Sequence, residues 1–254
     1  MSTRGARHAR DERGRPRLLQ LLGSLFFTGF LFVWTFVYAV FFVVACSVLP
    51  FRRRFVLARV WAATLLWVLK WSCGLDYRVE GAPLPDGCHI AFWKHSSSWE
   101  TLAMMVLFPR QVWVLKRELL WIPVVGIGVW QMHAIAIDRR SGGTAVAQVI
   151  EQGKERLAEG DWVMIFPEGT RMAAGETRRY GVSGTLLAIA GERLIVPVAH
   201  NAGYYWPRRG LLKKPGTVRV VIGAAVNPAG RDARELNEEI QRWVEATVKG
   251  LAPV

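Results

Sequence analysis

Several common signatures are absent from this 254-residue sequence, and each absence narrows what the protein can do. Its three cysteines are widely spaced and form no Cys-x-x-Cys pair, which argues against a disulfide framework and favours reduced thiols facing a cytosol. No stretch resembles a zinc finger, a basic zipper or an aromatic RNA-binding strand. We therefore expect no nucleic-acid partner, in spite of the strongly basic composition.

The signatures of a protein nucleophile and of a metal site are also missing. A strand followed by a Gly-x-Ser-x-Gly turn would present a reactive serine, but Ser183 lacks the final glycine of that pattern. No cysteine has a convincing catalytic partner. The histidines show no His-Glu-x-x-His spacing, so we predict no bound metal and no resident cofactor. These absences favour a reaction in which a hydroxyl of the substrate, and not a side chain of the protein, is the nucleophile.

Positive charge and apolar residues, in contrast, are both abundant. The formal net charge is +13, the isoelectric point is about 10.4, and 52% of the residues are hydrophobic. Such a composition fits a nucleic acid, an anionic lipid or an anionic substrate as partner. Much of the charge belongs to arginines that flank apolar stretches. This placement favours lipid, although each single run of charge fits a solvated surface equally well.

The longest uncharged run extends from Leu18 to Leu49. As one helix it would be roughly 48 Å long at about 1.5 Å per residue, against a hydrocarbon core about 30 Å thick. It is too long for a cleavable signal peptide, and no small-x-small site precedes the arginines at 52–54. Basic residues at both ends favour a re-entrant or interfacial helical hairpin whose ends both stay on the cytoplasmic side. A single tilted span is the alternative.

These changes in composition divide the chain into three predicted parts. Residues 1–17 are a basic flexible tail, 18–73 a membrane-associated helical segment, and 74–254 one globular domain. Within the second part, residues 55–73 are typical of an interfacial helix whose few cations reach toward lipid headgroups. A buried core helix is the alternative for the same residues.

Beyond Gly74, a turn-rich stretch at 79–87 leads into short apolar runs that alternate with helical patterns. We predict strands at 88–94, 111–116, 133–138, 162–166, 194–200 and 217–223. We predict helices at 98–108, within 118–131, and at 144–159, 183–192 and 232–250. The alternation indicates an α/β fold, in which a mixed, mostly parallel sheet is covered by helices and carries the N-terminal membrane-embedded helical segment.

His95 follows a predicted strand, and Glu100 follows His95 by five positions. Ser97 or Ser98 suits the start of a helix, which places Glu100 in its first turn. Across such a corner the carboxylate can turn back to the imidazole, fix its tautomer and stabilise the imidazolium that forms on protonation. The pair would then be a base for an external hydroxyl. Taken alone, a histidine at a strand end is more often structural.

A second dense stretch, residues 166–171, follows the apolar run at 162–165. Gly169 lets the backbone approach a ligand closely, and the side chains of Thr170 and Arg171 suit phosphate oxygens. Further cations, Lys116, Arg139 and Arg140, also follow predicted strands. If these strands are parallel neighbours, the cations meet at one edge of the sheet. An ordinary strand-to-loop turn with a surface arginine is the alternative.

Together these stretches resemble the glycerolipid acyltransferase family, and most closely its bacterial 1-acyl-sn-glycerol-3-phosphate acyltransferase members. The family's His-x-x-x-x-Asp block is matched at 95–100, with glutamate in place of aspartate. Its Lys-x-Glu-Leu-x-x-x-Pro and Ile-Asp-Arg blocks are matched at 116–123 and 137–139. Its Phe-Pro-Glu-Gly-Thr-Arg block stands unchanged at 166–171, and an apolar Val-Pro-Val strand at 195–198 completes the set. The likeness runs in order from about Gly74 to the C-terminus.

The resemblance implies transfer of a fatty acyl group to the sn-2 hydroxyl of lysophosphatidic acid, giving phosphatidic acid. The donor would be acyl-CoA or acyl-acyl-carrier protein. His95 would deprotonate the hydroxyl and Glu100 would orient His95. The remaining implied roles are phosphate binding by Lys116, Arg139 and Arg171, shaping of the pocket by Gly169 and Thr170, organisation of the loop by Glu168, and an apolar wall containing Pro197.

The resemblance also implies a location and leaves alternatives open. The basic, apolar N-terminus is similar to the family's membrane-docking segment, which puts the protein at the inner (cytoplasmic) membrane among lipid partners, with its catalytic domain on the cytoplasmic face. The acceptor could instead be glycerol 3-phosphate or another lysolipid. A thioester hydrolase and a non-catalytic lipid-binding protein are alternatives from other classes. The glutamate at position 100 is the one departure within the catalytic block.

Overall fold

The structure, a computed structural model, describes residues 17–138 and 142–253. Its helices are α1 (Arg17–Cys46), α2 (Phe51–Cys73), α3 (Trp99–Leu107), α4 (Val125–Gln131), α5 (Gly143–Ala158), α6 (Ser183–Gly191), α7 (Ala202–Tyr205) and α8 (Ala233–Gly250). A 3₁₀ helix (Arg117–Trp121) precedes α4. The predicted basic tail lies outside the described residues, apart from position 17.

Strands β1 (Leu75–Gly81), β2 (Ile90–Trp93), β3 (Gln111–Lys116), β4 (Ile135–Ile137), β5 (Trp162–Ile165), β6 (Ile195–His200) and β7 (Gly216–Ile222) form one sheet. Their order is β1-β7-β6-β2-β5-β3-β4. Every neighbouring pair is parallel except β6 and β7. The predicted mixed, mostly parallel sheet covered by helices is therefore confirmed.

The predicted strands and long helices are present to within two residues at either end. The predicted helix within 118–131 is divided between the 3₁₀ helix and α4. The prediction missed β1, where the turn-rich stretch was expected to begin, and α7, which is a single turn. The pattern did not predict β1 because charged residues interrupt its apolar positions, as is usual for a strand at the edge of a sheet.

Strand β2 lies at the centre of the sheet and separates two cores. Ala91 and Trp93 pack with α2 and α3 on one face, whereas Ile90 and Phe92 pack with α5, α6 and α8 on the other. All four side chains are buried, as expected for a parallel strand covered on both faces. Polar side chains follow β2 only past its carboxyl end, beginning with Lys94 and His95.

Helices α1 and α2 form an antiparallel hairpin. α1 is unbroken through both of its inner glycines, so the chain turns back at residues 47–50, at the end of the apolar run. α2 ends at Gly74, whose φ of 68° is left-handed and whose N–H donates to the Lys70 carbonyl. By length and composition both helices are able to cross a membrane. α2 buries one face, including Leu65 and Leu69, and leaves Trp67 and Trp71 exposed on the other.

A polar stripe docks the first turns of α1 against the globular part. Gln20, Ser24 and Thr28 follow one another at four-residue spacing and face Lys213. The Lys213 backbone N–H donates to Ser24 Oγ at 2.9 Å, and its ammonium donates to Thr28 Oγ1 at 2.5 Å and lies 5.4 Å from the Phe27 ring centroid. Burial lowers the pKa of Lys213. This end of α1 is thus fixed to the domain by specific contacts as well as by apolar packing.

An alanine at Gly23 is expected to destabilise the hairpin by roughly 1–3 kcal/mol. Its Cβ would lie 2.2 Å from the carbonyl oxygen of Ser72, so one helix must move away from the other. Gly29→Ala is the matched control, because no atom lies within 4 Å of a Cβ added there. The control should gain roughly 0.5–1 kcal/mol from better helix propensity. Thermal unfolding in detergent, followed by circular dichroism, measures both, and equal midpoints would contradict the close approach.

Candidate active site

The candidate site lies where neighbouring parallel strands end. β2 and β5 are adjacent, and the two dense polar stretches follow them directly, after Trp93 and Ile165. β3 pairs with β5 on the far side and ends at Lys116. The carboxyl ends of parallel strands share one edge, which is where α/β domains bind ligands. The structure therefore brings the sequence stretches at 94–100 and 166–171 together.

His95 and Glu100 form a hydrogen-bonded pair. His95 Nδ1 lies 2.9 Å from Glu100 Oε1, and Glu100 occupies the first turn of α3 as the spacing indicated. The same oxygen accepts the backbone N–H groups of Ser96 and Ser97 at 2.9 and 2.8 Å. Because an ionised carboxylate only accepts hydrogen bonds, Nδ1 carries the ring proton and Nε2 is left to accept another. The pair has the geometry of a general base and its orienting group.

The charge state of Glu100 depends on these donors. Burial raises the pKa of its carboxyl, but the hydrogen bond from His95, together with the nearby imidazoles and the Ser97 N–H, outweighs burial, so the net pKa is lowered. Its second oxygen, Oε2, is buried, accepts no hydrogen bond from the described residues and lies 3.9 Å from His200 Nε2. His200 donates from Nε2 to the Lys94 carbonyl and accepts the Ala202 N–H at Nδ1. It is therefore neutral, in agreement with a pKa lowered by burial.

The turn after β5 holds the histidine loop from the other side. Gly169, with a left-handed φ of 68°, donates its N–H to the Phe166 carbonyl and closes the turn. The Phe166 ring stacks on the His95 imidazole with centroids 4.0 Å apart. The backbone N–H of His95 donates to Glu168 Oε2 at 2.7 Å, and the backbone N–H of Met172 donates to the His95 carbonyl at 2.8 Å. The two loops therefore fix the position of His95 together.

A buried ion network lies beneath these loops. Lys94 is 1% exposed, and its ammonium donates to Glu168 at 2.7 Å, to the Glu176 carbonyl at 2.9 Å and to both oxygens of Glu245 on α8. Tyr180 also donates to Glu245, at 2.9 Å. Burial raises the pKa of Glu168 to about 7, although the Lys94 charge acts to lower it. Lys94 thus links both active-site loops to the C-terminal helix.

A cavity of about 640 Å³ opens beside His95. Its walls are mainly apolar and come from α1, α2, α3 and α4, with members such as Tyr38, Phe42, Trp61, Met104 and Val129. Its polar members are Lys116, Thr170, Arg171, Arg208 and Arg209, together with Thr35 and Thr101. The volume is typical of a small-molecule site. Apolar walls, a base and several cations suit a ligand that combines an alkyl chain with an anionic group.

Most of the residues named from the sequence meet here. His95, Lys116, Thr170 and Arg171 line the cavity, and Glu100 and Glu168 support the loops behind it. Pro197 does not line the cavity; it lies in β6 opposite Phe92 of β2. Arg139 and Arg140 lie outside the described residues. Within residues 17–138 and 142–253, no three His, Cys, Asp or Glu side chains are placed to hold a metal ion.

Sequence reasoning missed four residues at this site. Lys94 adjoins His95, and a charge directly after a fully apolar strand was the available signal for it. Its partner Glu245 is 151 residues away on the polar side of an ordinary amphipathic helix, which gives no local signal. Arg208 and Arg209 follow α7, the one-turn helix that the pattern did not predict.

Fold and site together define an α/β enzyme in which a histidine paired with a glutamate lies beside an apolar cavity that is also lined by cations. The acyltransferase family model matches residues 77–201. The chain is 39% identical to a 1-acyl-sn-glycerol-3-phosphate acyltransferase of Pseudomonas aeruginosa, over 82% of each chain. It is 30% identical to 1-acyl-sn-glycerol-3-phosphate acyltransferase alpha of Mus musculus, over 65% of this chain and 60% of the mouse protein. The chain belongs to the acyltransferase family.

A solved structure supports the same fold. The crystal structure of the 1-acyl-sn-glycerophosphate acyltransferase PlsC from Thermotoga maritima matches with a TM-score of 0.75, covering 92% of this chain and 97% of that one. The sequence identity is 21%. The match therefore extends over the N-terminal hairpin as well as the sheet, and it concerns the architecture alone.

Proposed function

We propose that the protein transfers a fatty acyl group from an acyl thioester to the sn-2 hydroxyl of 1-acyl-sn-glycerol 3-phosphate, giving phosphatidic acid for phospholipid biosynthesis. The observation that carries the proposal is the His95–Glu100 pair at the mouth of an apolar cavity that also contains Arg171. The names of the Pseudomonas and mouse relatives support the choice of acceptor. The protein is then an O-acyltransferase without a covalent acyl-enzyme intermediate.

In the proposed mechanism His95 Nε2 accepts the proton of the acceptor hydroxyl as its oxygen attacks the thioester carbonyl carbon. The new C–O bond gives a tetrahedral intermediate, whose C–S bond then breaks. The imidazolium returns its proton to the leaving thiolate, so the histidine ends the cycle neutral. Glu100 stabilises the imidazolium through the 2.9 Å contact at Nδ1 and keeps the ring oriented. The products are phosphatidic acid and a free thiol.

The apolar and the cationic residues of the cavity would bind different parts of the substrates. The apolar residues of α1–α4 would hold an acyl chain, and Arg171 and Lys116, with Arg139, would bind the acceptor phosphate. Gly169 and Thr170 would shape the pocket around that phosphate, and Glu168 would organise the loop. The donor would be acyl-CoA or acyl-acyl-carrier protein, used as co-substrate. No resident cofactor has a role in this scheme.

We propose the cytoplasmic (inner) membrane as the location, with the domain on its cytoplasmic face. Aromatic side chains are exposed along the hairpin, among them Phe32, Phe36, Phe41, Trp67 and Trp71. The cavity is walled partly by α1 and α2, so a lipid chain would enter it without crossing open water. Among the described residues, Cys46, Cys73 and Cys88 form no disulfide, which suits the reducing side of the membrane.

One assay tests the function. Purified protein in detergent receives an acyl-CoA or acyl-carrier donor together with 1-acyl-sn-glycerol 3-phosphate, and phosphatidic acid and free fatty acid are both quantified. Formation of phosphatidic acid is the expected result. Free fatty acid alone would indicate a thioester hydrolase. Turnover only with glycerol 3-phosphate or another lysolipid would show that this molecule is the acceptor. No turnover with any acceptor would favour a lipid-binding protein.

The glutamate at position 100 provides a sharp test of the pair. Glu100→Ala is expected to lower kcat roughly 10- to 100-fold, because a hydrogen bond to a charged group contributes about 1.5–3 kcal/mol. Glu100→Asp keeps the carboxylate and should stay within about tenfold of the original rate, with a rotamer change absorbing the lost methylene. Initial rates of phosphatidic acid formation by folded variants measure both. An alanine variant with unchanged rate would remove Glu100 from the mechanism.

A further inference from the structure

The cations around the cavity differ in whether their charge is already balanced. Lys116, which the sequence motif selects, forms an ion pair with Glu118 at 2.9 Å. Arg171, Arg208 and Arg209 line the same cavity, and none of them has a hydrogen bond or an ion pair within the part of the chain that the structure describes. Three guanidinium groups that have no partner among the described residues therefore line one cavity, where each is available to an anion.

The segment that carries Arg208 and Arg209 is anchored at both ends. On one side the Trp206 carbonyl accepts a 2.6 Å hydrogen bond from Ser97 Oγ, so it is tied to the histidine loop. On the other side Lys213 is buried against Ser24 and Thr28 of α1. Only residues 207–212 lie between these anchors. The two arginines are therefore held at the cavity even though their side chains are exposed.

We propose that Arg208 and Arg209, together with Arg171, bind the phosphate monoester of the lipid acceptor. This inference rests on the proposed function, because it assigns the residues that recognise its acceptor. Each guanidinium can donate two parallel hydrogen bonds to phosphate oxygens. Three unpaired cations match a dianion better than Arg171 with Lys116, whose charge Glu118 already balances. The phosphate would bridge the turn after β5 and the segment after α7. Its bound position would then fix the distance from the sn-2 hydroxyl to His95.

The test compares Arg208→Ala, Arg209→Ala and the double variant with the unchanged protein. Each single variant is expected to raise KM for 1-acyl-sn-glycerol 3-phosphate roughly tenfold, and the double variant more, since a charge-assisted hydrogen bond is lost each time. Arg234→Ala, an exposed arginine at the start of α8, is the matched control and should leave KM unchanged. Thermal unfolding midpoints verify that all variants are folded. An unchanged KM in the double variant would overturn the proposal.

Two further measurements identify the source of the phosphate. With 1-monoacylglycerol, which lacks the phosphate, the double variant should be as active as the unchanged protein, whereas a loss on that acceptor would overturn the assignment. The KM for the acyl donor should not change. If the KM for the donor rose and the KM for the acceptor did not change, these arginines would bind phosphates of the donor. If the double variant floated less with anionic vesicles and showed no KM change in detergent, the arginines would bind membrane headgroups. Either result would contradict the proposal.

A binding experiment separates this proposal from the proposed function. Equilibrium binding of radiolabelled 1-acyl-sn-glycerol 3-phosphate in detergent, without donor, needs no turnover. Weaker binding by the double variant, with turnover by the unchanged protein, supports both proposals. Weaker binding without any turnover would refute the proposed activity and keep the phosphate site. Turnover with equal binding by the two proteins would refute the phosphate site alone.

Discussion

Replacing His95 by alanine is expected to lower kcat for phosphatidic acid formation by roughly 10²–10⁴-fold, the usual contribution of a positioned general base. The imidazole is the only base that the structure brings to the cavity mouth among the described residues, with Nδ1 engaged by Glu100 and Nε2 left for the substrate. The KM for the acceptor should change little, because the proposed phosphate contacts come from arginines and not from His95. The loss should therefore concern the chemical step.

His89→Ala is the matched control for this experiment. His89 lies just before β2, bonds to the Asp86 carbonyl and to the Leu194 N–H, and does not line the cavity. Its variant should keep kcat close to that of the unchanged protein. The His95 variant should remain folded, since Glu100 still accepts two backbone N–H groups and the loop keeps its contact with Glu168. A folded His95→Ala protein with more than about one tenth of the original kcat would contradict the role of the histidine as base.

The fold was predictable because its signals are local. β2 and β5 are short runs in which every side chain is buried, and long amphipathic patterns such as that of α8 separate the runs. The order of the strands was not predictable, because it depends on which runs pair across the sheet. β6 and β7 pair antiparallel in an otherwise parallel sheet, and the sequence of neither strand indicates this direction. The edge strand β1 was missed because its outer positions are charged.

The contacts of the candidate site likewise fall into those that the sequence could predict and those that it could not. His95 and Glu100 are five residues apart, so one strand-to-helix corner brings them together and their spacing is visible in the sequence. The contacts of Lys94 with Glu168 and Glu245 join residues 74 and 151 positions apart. The segment that carries the arginines after α7 is held at the cavity in part by the bond from Ser97 to the Trp206 carbonyl, which joins residues 109 positions apart. Contacts of this range follow from the assembled fold and leave no periodicity in the sequence.

Replacing Lys94 by methionine is expected to lower the free energy of unfolding by roughly 3–5 kcal/mol. The substitution leaves the carboxylates of Glu168 and Glu245 together, one of them fully buried, without the cation between them. For a protein of this size the unfolding midpoint should fall by roughly 6–20 °C. Lys154→Met, at an exposed position on α5, is the matched control and should stay within about 0.5 kcal/mol of the original.

A double-mutant cycle tests whether the ion pair itself is responsible. In the Lys94→Met background, Glu168→Gln removes the fully buried one of the two uncompensated carboxylates and keeps an acceptor for the backbone N–H of His95. The double variant should therefore be more stable than Lys94→Met alone. Chemical denaturation in detergent gives the four free energies. If the double variant were destabilised by the sum of the two single effects, the buried charge pair would not be the cause.

The pH dependence of the same variant supplies an independent argument. Burial holds the pKa of Glu168 at about 7 even beside Lys94, well above its ordinary value, so the folded state binds this proton more tightly than the unfolded state does. Removal of Lys94 raises that pKa further. A carboxyl with a raised pKa costs stability as the pH rises from its unfolded pKa to its folded pKa. The difference in stability between Lys94→Met and the unchanged protein should therefore be large at pH 8 and shrink toward pH 5, where Glu168 is protonated in both. A difference that does not depend on pH would mean that methionine disturbs the packing of β2 and leaves the electrostatics of the loops unaffected.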